Sequence, residues 1–366
     1  MTLIFTVIVI ALAFEYINGF HDTANSIATV VSTKVLTPRQ AVILAACTNL
    51  FGAMLGTAVA KTITSGLVDS GVVSITSEII VCALLGAIAW NLLTWWNGLP
   101  SSSSHALIGA LCGAALAAAH NHWNVIVWSQ PSSVHWYLGK GLLWKVIVPM
   151  FLSPFLGFVG GFGLMALLYI MLRHKRPSGV NKFFGVAQMF SAGAMGVMHG
   201  TNDAQKTMGI IALALLSATK TGSLDHLPAW LDFLRAPLPP PGKELEIATW
   251  IKVMCALVMA SGTAVGGWRI IKTLGHKMVK LHPINGFAAE ASSATVIGLA
   301  SLLGIPVSTT HNVSAAIMGV GCAKRFNAIK WTVVERMVWA WVLTIPATAA
   351  MGYGMVWLAQ SFGWIP

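Results

Sequence analysis

The sequence predicts an all-α polytopic membrane protein with two inverted-topology repeats, each holding full-length spans and a broken or re-entrant helical hairpin. The first observation is composition: 56% of the 366 residues are apolar, only 9% are charged, and the mean hydropathy is +0.75. Soluble domains carry about 25% charged residues, so this chain has too few charges to cover a surface that faces water. The composition excludes a soluble enzyme, a disordered chain and a nucleic-acid-binding module, although the net charge is +11.

Apolar stretches long enough to cross a bilayer, which takes roughly 20 residues, predict the transmembrane helices. We expect full-length spans at residues 2–32, 40–60, 142–172, 183–216, 248–268 and 331–360. Two further stretches, 78–120 and 286–323, are apolar but interrupted at Pro100 and Pro306. Each is predicted to form a hairpin, because non-helical backbone at membrane depth needs protein or a water-filled cavity around it.

The second observation is an internal repeat, because three short motifs occur twice and in the same order. They are Gly19–Asp22 with Gly200–Asp203, Gly56–Val59 with Gly262–Val265, and Pro100–His105 with Pro306–His311. The first motif recurs after 181 positions and the other two after 206, so the second copy contains an insertion at about 217–246. We therefore predict a first repeat at 1–172, a linker at 173–182 and a second repeat at 183–366.

The distribution of basic residues predicts the orientation of the two repeats. The loops 33–39, 173–182, 269–280 and 324–336 hold 14 of the 22 Lys and Arg residues, which predicts that they are cytoplasmic. The insertion at 217–246 has three bases and four acids and is predicted to face outward. Equivalent loops of the two repeats then lie on opposite sides. Inverted repeats with broken helices are typical of secondary transporters, whose sites lie near the bilayer midplane.

Acidic residues inside apolar spans are costly and usually functional. Asp22 and Asp203 are equivalent positions of the repeat, and Asn25 shares a helical face with Asp22. Glycine is expected to loosen the helix here, and oxygen ligands on a loosened helix suit Na⁺ or a transferable proton. The alternative is that these side chains only hydrogen-bond between helices. That alternative carries more weight for two other acids inside apolar spans, Glu15 and Glu290.

In the second copy of the motif, Lys206 stands where the first copy has Asn25. It follows Asp203 by three residues, so one expectation is an intrahelical ion pair that neutralises both groups in a poorly solvated place. The other expectation is that the ammonium group takes the place of a bound cation or contacts an anionic substrate. The two expectations are compatible.

Two tips rich in serine and threonine, 101–104 and 308–310, each follow a proline and precede an apolar helical run. Their hydroxyl groups and free backbone N–H groups are expected at a helix N-terminus, which binds anions. If the repeats bring the tips together, one tetrahedral anion receives donors from both sides. Ordinary N-capping is the alternative. His105 and His311 end the tips and are expected to donate to the anion, carry a proton or pack.

The two G-x-(N/H)-D motifs, the tips that end in His, Gly262–Ala264 and Gly267–Ile271 together resemble the PiT family of inorganic phosphate transporters. The resemblance covers nearly the whole chain. It implies a multi-pass protein of the cell (inner or plasma) membrane that is not an enzyme. It also implies cation-coupled symport of inorganic phosphate into the cell by alternating access, with H⁺ or Na⁺ co-transported and no other cofactor.

The resemblance also implies which residues bind the cation and the anion. Cation ligands would be Asp22, Asn25, Asn202 and Asp203, with Asp22, Asn25 and Asp203 holding Na⁺ if sodium is the coupled ion. Phosphate ligands would be Ser102, Ser103, Ser104, Ser308, Thr309 and Thr310, and we add His105 and His311. His21 and Lys206 replace the asparagines that the family usually has, so we include Lys206 among the coupling residues and favour proton coupling.

Other functions remain as alternatives at this point. A sulfate permease of the same fold is the alternative within transport. A membrane-embedded enzyme is less favoured, because the sequence offers no nucleophile–base pair or metal-ligand spacing, and a channel would need no duplicated carboxylate. Phosphate as a free anion and phosphate as a metal complex both stay open as substrates, and so does assembly into a homodimer.

Overall fold

The chain folds almost entirely into α-helices in the computed structural model. The structure describes residues 2–65, 67–69, 72, 75–132, 139–225, 227–237 and 246–365. Within these ranges extended pairing is limited to two isolated β-bridges, Val68 with Ile126 and Gln130 with Lys140. The predicted all-α class is confirmed.

The helices follow the two halves of the sequence. Residues 1–172 contribute α1 (Thr2–Ser32), α2 (Pro38–Ala53), α3 (Ala58–Ser65), α4 (Ser77–Trp96), α5 (Ser103–Ala118) and α6 (Val148–Leu172). The remainder contributes α7 (Pro177–Lys220), α8 (Thr249–Val265), α9 (Trp268–Lys272), α10 (Pro283–Leu302), α11 (Thr309–Lys324) and α12 (Trp331–Ser361). Short 3₁₀ or π turns occur at Trp123–Val125, Leu143–Ile147, Ala229–Leu234, Thr273–Lys277 and Phe326–Ala328.

Several helices are long and apolar enough to cross a membrane. Among the described residues they are Thr2–Ser32, Ser77–Trp96, Leu143–Leu172 and Trp331–Ser361, together with a bent pair, Thr249–Val265 and Trp268–Lys277. The predicted span 183–216 lies within α7, which begins at Pro177 and leaves only 173–176 between α6 and α7. Part of the predicted insertion at 217–246 lies outside the described residues, namely 226 and 238–245.

The predicted full-length span 40–60 is wrong as a single helix, and the span predicted at 248–268 ends as a helix at Val265, three residues early. α2 ends at Ala53 and α3 starts at Ala58, with Gly56 at φ +88° between them. α8 ends before Gly266, which has φ +77°. The next helical segment, Trp268–Lys277, is inclined to α8 by 57°. Hydropathy missed both breaks because the apolar run continues through each turn, whereas the positive φ of glycine ends the helix.

The two predicted hairpin breaks occur where the sequence places them. α4 ends at Trp96 and α5 begins at Ser103, whereas α10 ends at Leu302 and α11 begins at Thr309. Each first helix is followed by a glycine with positive φ, Gly98 at +63° and Gly304 at +64°. Polar tips therefore separate two helices in both halves of the chain.

Each break is held by the half of the chain that does not contain it. Thr273, after α9, donates a hydrogen bond to the carbonyl oxygen of Gly98 at 2.9 Å. Thr62 of α3 donates to the carbonyl oxygen of Gly304 at 2.7 Å. The helices are exchanged in the same way, because α5 packs on α12 and α6 packs on α11.

The expected loosening of the helix around Asp22 is wrong, because α1 runs unbroken from Thr2 to Ser32. Glycine serves packing here instead. A Cβ atom on Gly19 would lie 3.2 Å from the Cα of Gly262, so both glycines let the backbones of α1 and α8 approach closely. α7 is equally continuous and meets the backbone of Asn49 of α2 at Gly200.

Candidate anion and cation site

The two acidic motifs and the two tips meet inside the protein. Asp22 lies in α1 and Asp203 in α7, and both side chains are buried, with 2% and 1% of their surfaces exposed. The N-termini of α5 and α11 point their serine and threonine side chains at these carboxylates. Four separate segments of the chain therefore meet in one polar cluster.

Asp22 receives hydroxyl groups from both tips. Ser103 donates to its Oδ2 at 2.7 Å, and Thr310 donates to its Oδ1 at 3.3 Å. The Nδ1 of His21 lies 2.7 Å from Oδ1, and it carries the hydrogen of this contact because a carboxylate only accepts. The other ring nitrogen of His21 lies 3.1 Å from the hydroxyl of Thr94 in α4. These contacts fix the Asp22 carboxylate between the tips.

Asn25 joins the same cluster from one helical turn further along α1. Its amide group donates to Thr309 at 3.1 Å and to Thr310 at 2.9 Å. Its Oδ1 is buried and has no hydrogen-bond partner within the described part of the chain, and the same is true of the Oδ1 of Asn202. Such oxygen atoms suit a hard cation such as Na⁺. The amide group of Asn202 donates to Ser301 of α10, which is not a tip residue, at 3.0 Å.

Asp203 and Lys206 form the expected intrahelical ion pair. The ammonium group of Lys206 donates to Asp203 Oδ1, to the hydroxyl of Ser104 and, at 3.3 Å, to the carbonyl oxygen of Val307. Asp203 Oδ2 accepts from Thr309 at 3.0 Å. Lys206 therefore contacts Ser104 of the first tip and Val307, which directly precedes the second tip, as well as the carboxylate. The ion pair thus belongs to the site itself.

Sequence reasoning did not propose His199 as a site residue. Its Nε2 lies 3.1 Å from Asp203 Oδ2, and its Nδ1 lies 3.1 Å from the amide oxygen of Asn49 in α2. Asp22, His199 and Asp203 each offer a ligand atom within 4.8 Å of the other two. The available signal was its position four residues before Asp203, on the same helical face.

Apart from Ser101, which donates to the hydroxyl of Thr94 at 2.9 Å, the tip residues divide into two groups by what their hydroxyls contact. Ser102 accepts from the backbone N–H of His105, and Ser308 from that of His311, both at 3.2 Å, so these two serines cap α5 and α11. The hydroxyls of the other tip residues face the carboxylates and the ammonium group: Ser103, Ser104, Thr309 and Thr310. The tips therefore cap α5 and α11 and also direct hydroxyl groups at the charged groups of the site.

His105 and His311, which end the tips, lie against each other. Their ring centroids are 4.9 Å apart at 70°, and His311 stacks on Trp341 of α12 at 4.4 Å. His105 Nδ1 and His311 Nε2 are buried without a hydrogen-bond partner among the residues that the structure describes. The pair packs α5 against α11 directly behind the tips.

Comparison with known proteins gives a consistent family over nearly the whole chain. The model of the phosphate transporter family matches residues 18–352. A protein of Bacillus subtilis (strain 168), described as a probable low-affinity inorganic phosphate transporter, is 44% identical over 352 residues and covers 96% of both chains. A protein of Rhizobium meliloti (strain 1021) with the same description is 43% identical, covering 93% of this chain and 92% of its own.

A solved structure shares the fold. It is described as the sodium-dependent phosphate transporter, and it aligns with a TM-score of 0.78 over 98% of this chain and 99% of its own, at 22% identity. The relatives are transporters rather than enzymes, and the apolar helices make this a multi-pass protein of the plasma membrane, both as predicted. The chain belongs to the phosphate transporter family.

Proposed function

We propose that this protein is a cation-coupled symporter that carries inorganic phosphate into the cell by alternating access. The observation that supports this most directly is that Asp22 accepts hydrogen bonds from hydroxyl groups of both tips. An anion held between the tips would lie beside the carboxylates of the two acidic motifs. A cation or proton bound there makes the binding free energy of the anion more favourable, and the bound anion does the same for the cation. This mutual effect is positive coupling.

The exchange of helices supports two repeats, 1–172 and 183–366, joined by a cytoplasmic linker within 173–182. Pairing of α5 with α12 corresponds to pairing of α11 with α6, and Thr273 on Gly98 corresponds to Thr62 on Gly304. Such an arrangement gives two equivalent contacts, one for each tip. Alternating access would break one of them at a time, opening the site to one side.

The donors and acceptors of the site favour phosphate over sulfate. Hydroxyl groups both donate and accept, whereas the N–H groups at the helix N-termini only donate. Phosphate near neutral pH still carries a proton and needs an acceptor, which Asp22 or Asp203 supplies. Sulfate has no proton to donate and is repelled by the carboxylates. The tips alone would not distinguish the two anions, so the carboxylates carry the selectivity.

We expect arsenate to compete strongly with phosphate and sulfate to compete poorly, because arsenate keeps both the tetrahedral shape and the protons. The measurement is uptake of radiolabelled phosphate into proteoliposomes with an excess of each unlabelled anion. Unlabelled phosphate serves as the reference for full competition. Inhibition by sulfate as strong as that by phosphate would contradict the acceptor argument and favour a sulfate permease.

For the coupled ion we propose H⁺. The solved relative is described as sodium-dependent but is only 22% identical to this chain. The coupled ion therefore depends on the residues that this chain itself has at the site. Lys206 places an ammonium group among three oxygen atoms, those of Asp203, Ser104 and Val307, which are the kind of ligands that Na⁺ uses. The lysine therefore fills one candidate sodium position with a fixed charge.

We expect uptake to follow an imposed pH gradient and to persist without Na⁺, and Lys206→Asn to reverse both properties, because it frees the three oxygen atoms for Na⁺. Proteoliposomes with defined internal and external pH and Na⁺ test this. Lys182→Asn, an exposed lysine of the same helix, is the matched control and should behave as the wild type. Strict Na⁺ dependence of the wild type, with no response to pH, would refute proton coupling.

A further inference from the structure

A third buried carboxyl group, that of Glu15, lies one helical turn away from the site. Glu15 belongs to α1 and has no exposed surface. Its Oε2 accepts a hydrogen bond from Thr207 of α7, which directly follows Lys206 and lies four residues after Asp203. Residues four apart share a helix face, so Glu15 contacts α7 one turn beyond Asp203.

Glu15 is poorly compensated for a buried acid. Its Oε1 has no hydrogen-bond partner in the described ranges, so Thr207 is its single hydroxyl donor there. Glu290, by contrast, accepts from Thr29, Gln188 and Ser191 on α1 and α7. An ionised carboxylate with so few donors is costly to bury, and a protonated one costs much less. The geometry therefore suits a neutral Glu15 while the ammonium group of Lys206 is directed at Asp203 and Ser104 and not at Glu15.

Asn18 can accept the proton's hydrogen bond. It lies one turn further along α1, where its amide group is placed to donate to Glu15, and its Oδ1 is buried without a partner in the part of the chain that is described. A flip of the amide would exchange its nitrogen and oxygen atoms. A hydroxyl group at Glu15 Oε1 donating to Asn18 Oδ1 would satisfy both atoms. The charged or titratable groups that face Glu15 are Asp203 and Lys206 of α7 and Cys255 of α8.

Lys206 connects Glu15 to the anion. Its ammonium group interacts electrostatically with Glu15 but is directed at Asp203, at Ser104 of the first tip and at Val307 beside the second. An anion at the tips would hold the ammonium group there. The positive charge is then unavailable to Glu15, and an ionised Glu15 would be left beside Asp203. Taking up one proton from water removes that unfavourable charge.

We infer that Glu15 is a proton-carrying residue of the transport cycle, which gains a proton at its carboxylate when phosphate binds and returns it to water when phosphate leaves. The O–H bond forms and breaks on Glu15. While the tips hold no anion, the positive charge of Lys206 compensates the negative charge of the Glu15 carboxylate. This inference rests on the proton coupling proposed above. It adds a residue, outside the two acidic motifs, at which the proton is held.

Infrared difference spectroscopy of the purified transporter on phosphate addition tests the inference directly. We expect a carbonyl band of a protonated carboxyl group to appear in the wild type and in Glu335→Gln, a control that changes an exposed glutamate of α12. The band should be absent from Glu15→Gln and should return, shifted, in Glu15→Asp, which shows that loss of folding is not the cause. Persistence of the band in Glu15→Gln, or its absence from a phosphate-binding wild type, overturns the inference.

Transport by the same variants separates this inference from the proposed function. Glu15→Gln should keep phosphate exchange at equal pH but lose accumulation driven by a pH gradient by about tenfold, the size of a typical coupling between two ligands. A purely structural Glu15 would lower exchange and accumulation together, which would count against the inference. If the wild type accumulates phosphate only with Na⁺, the proposed coupling ion fails, while the infrared band still decides the role of Glu15.

Discussion

Asp22→Asn and Asp203→Asn are each expected to abolish coupled phosphate uptake while the protein still reaches the membrane. In Asp203→Asn the ammonium group of Lys206 loses its buried counter-charge, and Thr309 loses a charged acceptor. In Asp22→Asn only one side-chain oxygen remains to accept the hydrogen bonds that Ser103 and Thr310 donate to two carboxylate oxygens. Several charge-assisted hydrogen bonds of about 1.5–3 kcal/mol each are lost, so the initial rate should fall by about 100-fold or more.

The measurement is gradient-driven uptake into proteoliposomes that contain equal amounts of each variant, with insertion checked by surface labelling. Asp232→Asn is the matched control, because Asp232 is largely exposed and pairs with a partly exposed Arg235. This control should retain wild-type uptake. Normal uptake by either site variant, once correctly inserted, would show that its carboxylate is not needed for coupling.

Gly113→Ala is expected to prevent the two halves from packing. Gly113 lies in α5, where a Cβ atom would overlap the backbone carbonyl group of Ala349 in α12. A backbone atom cannot move aside as a flexible side chain can, so the helices must separate. Overpacking of this kind costs about 1–3 kcal/mol or more, and the contact recurs along the whole α5–α12 interface.

Gly163→Ala in α6 makes the same chemical change in a matched place. A Cβ atom there would have no neighbour within 4 Å among the described residues, and alanine is the better helix former by about 1 kcal/mol. Thermal unfolding in detergent, followed by size-exclusion chromatography, should show a strongly lowered midpoint for Gly113→Ala only. Equal midpoints for the two variants would mean that the close α5–α12 contact does not support the fold.

Local sequence signals predicted the parts of the structure that depend on local chemistry. Pro100 and Pro306, with the polar residues after them, mark where the hairpins break, and the spacing of Asp203 and Lys206 predicts their ion pair. The break at Gly56 was missed because hydropathy does not register one glycine in a continuing apolar run. Gly19 was misinterpreted because its role depends on a neighbouring helix that is remote in sequence.

Contacts between the halves could not be predicted from local pattern. Asn25 donates to Thr309 and Thr310, which lie 284 and 285 residues away, and His199 is paired with Asn49 of α2. The repeat suggested that the tips converge, but only the exchange of helices determines which hydroxyl meets which carboxylate. The roles of these residues in binding and coupling stay predictions until the variants are measured.

The exchange of helices between the halves also affects the order in which the chain matures in the cell. α5 ends at Ala118 and its partner α12 starts at Trp331. A ribosome adding about 5–20 residues per second needs roughly 10–40 seconds to synthesise the chain between them. During this interval α5 lies in the bilayer with its glycine face uncovered and with the polar groups at its N-terminus unable to find donors or acceptors in lipid. The nascent first half is therefore an assembly intermediate, which membrane proteases and insertion factors encounter before synthesis of the second half is complete.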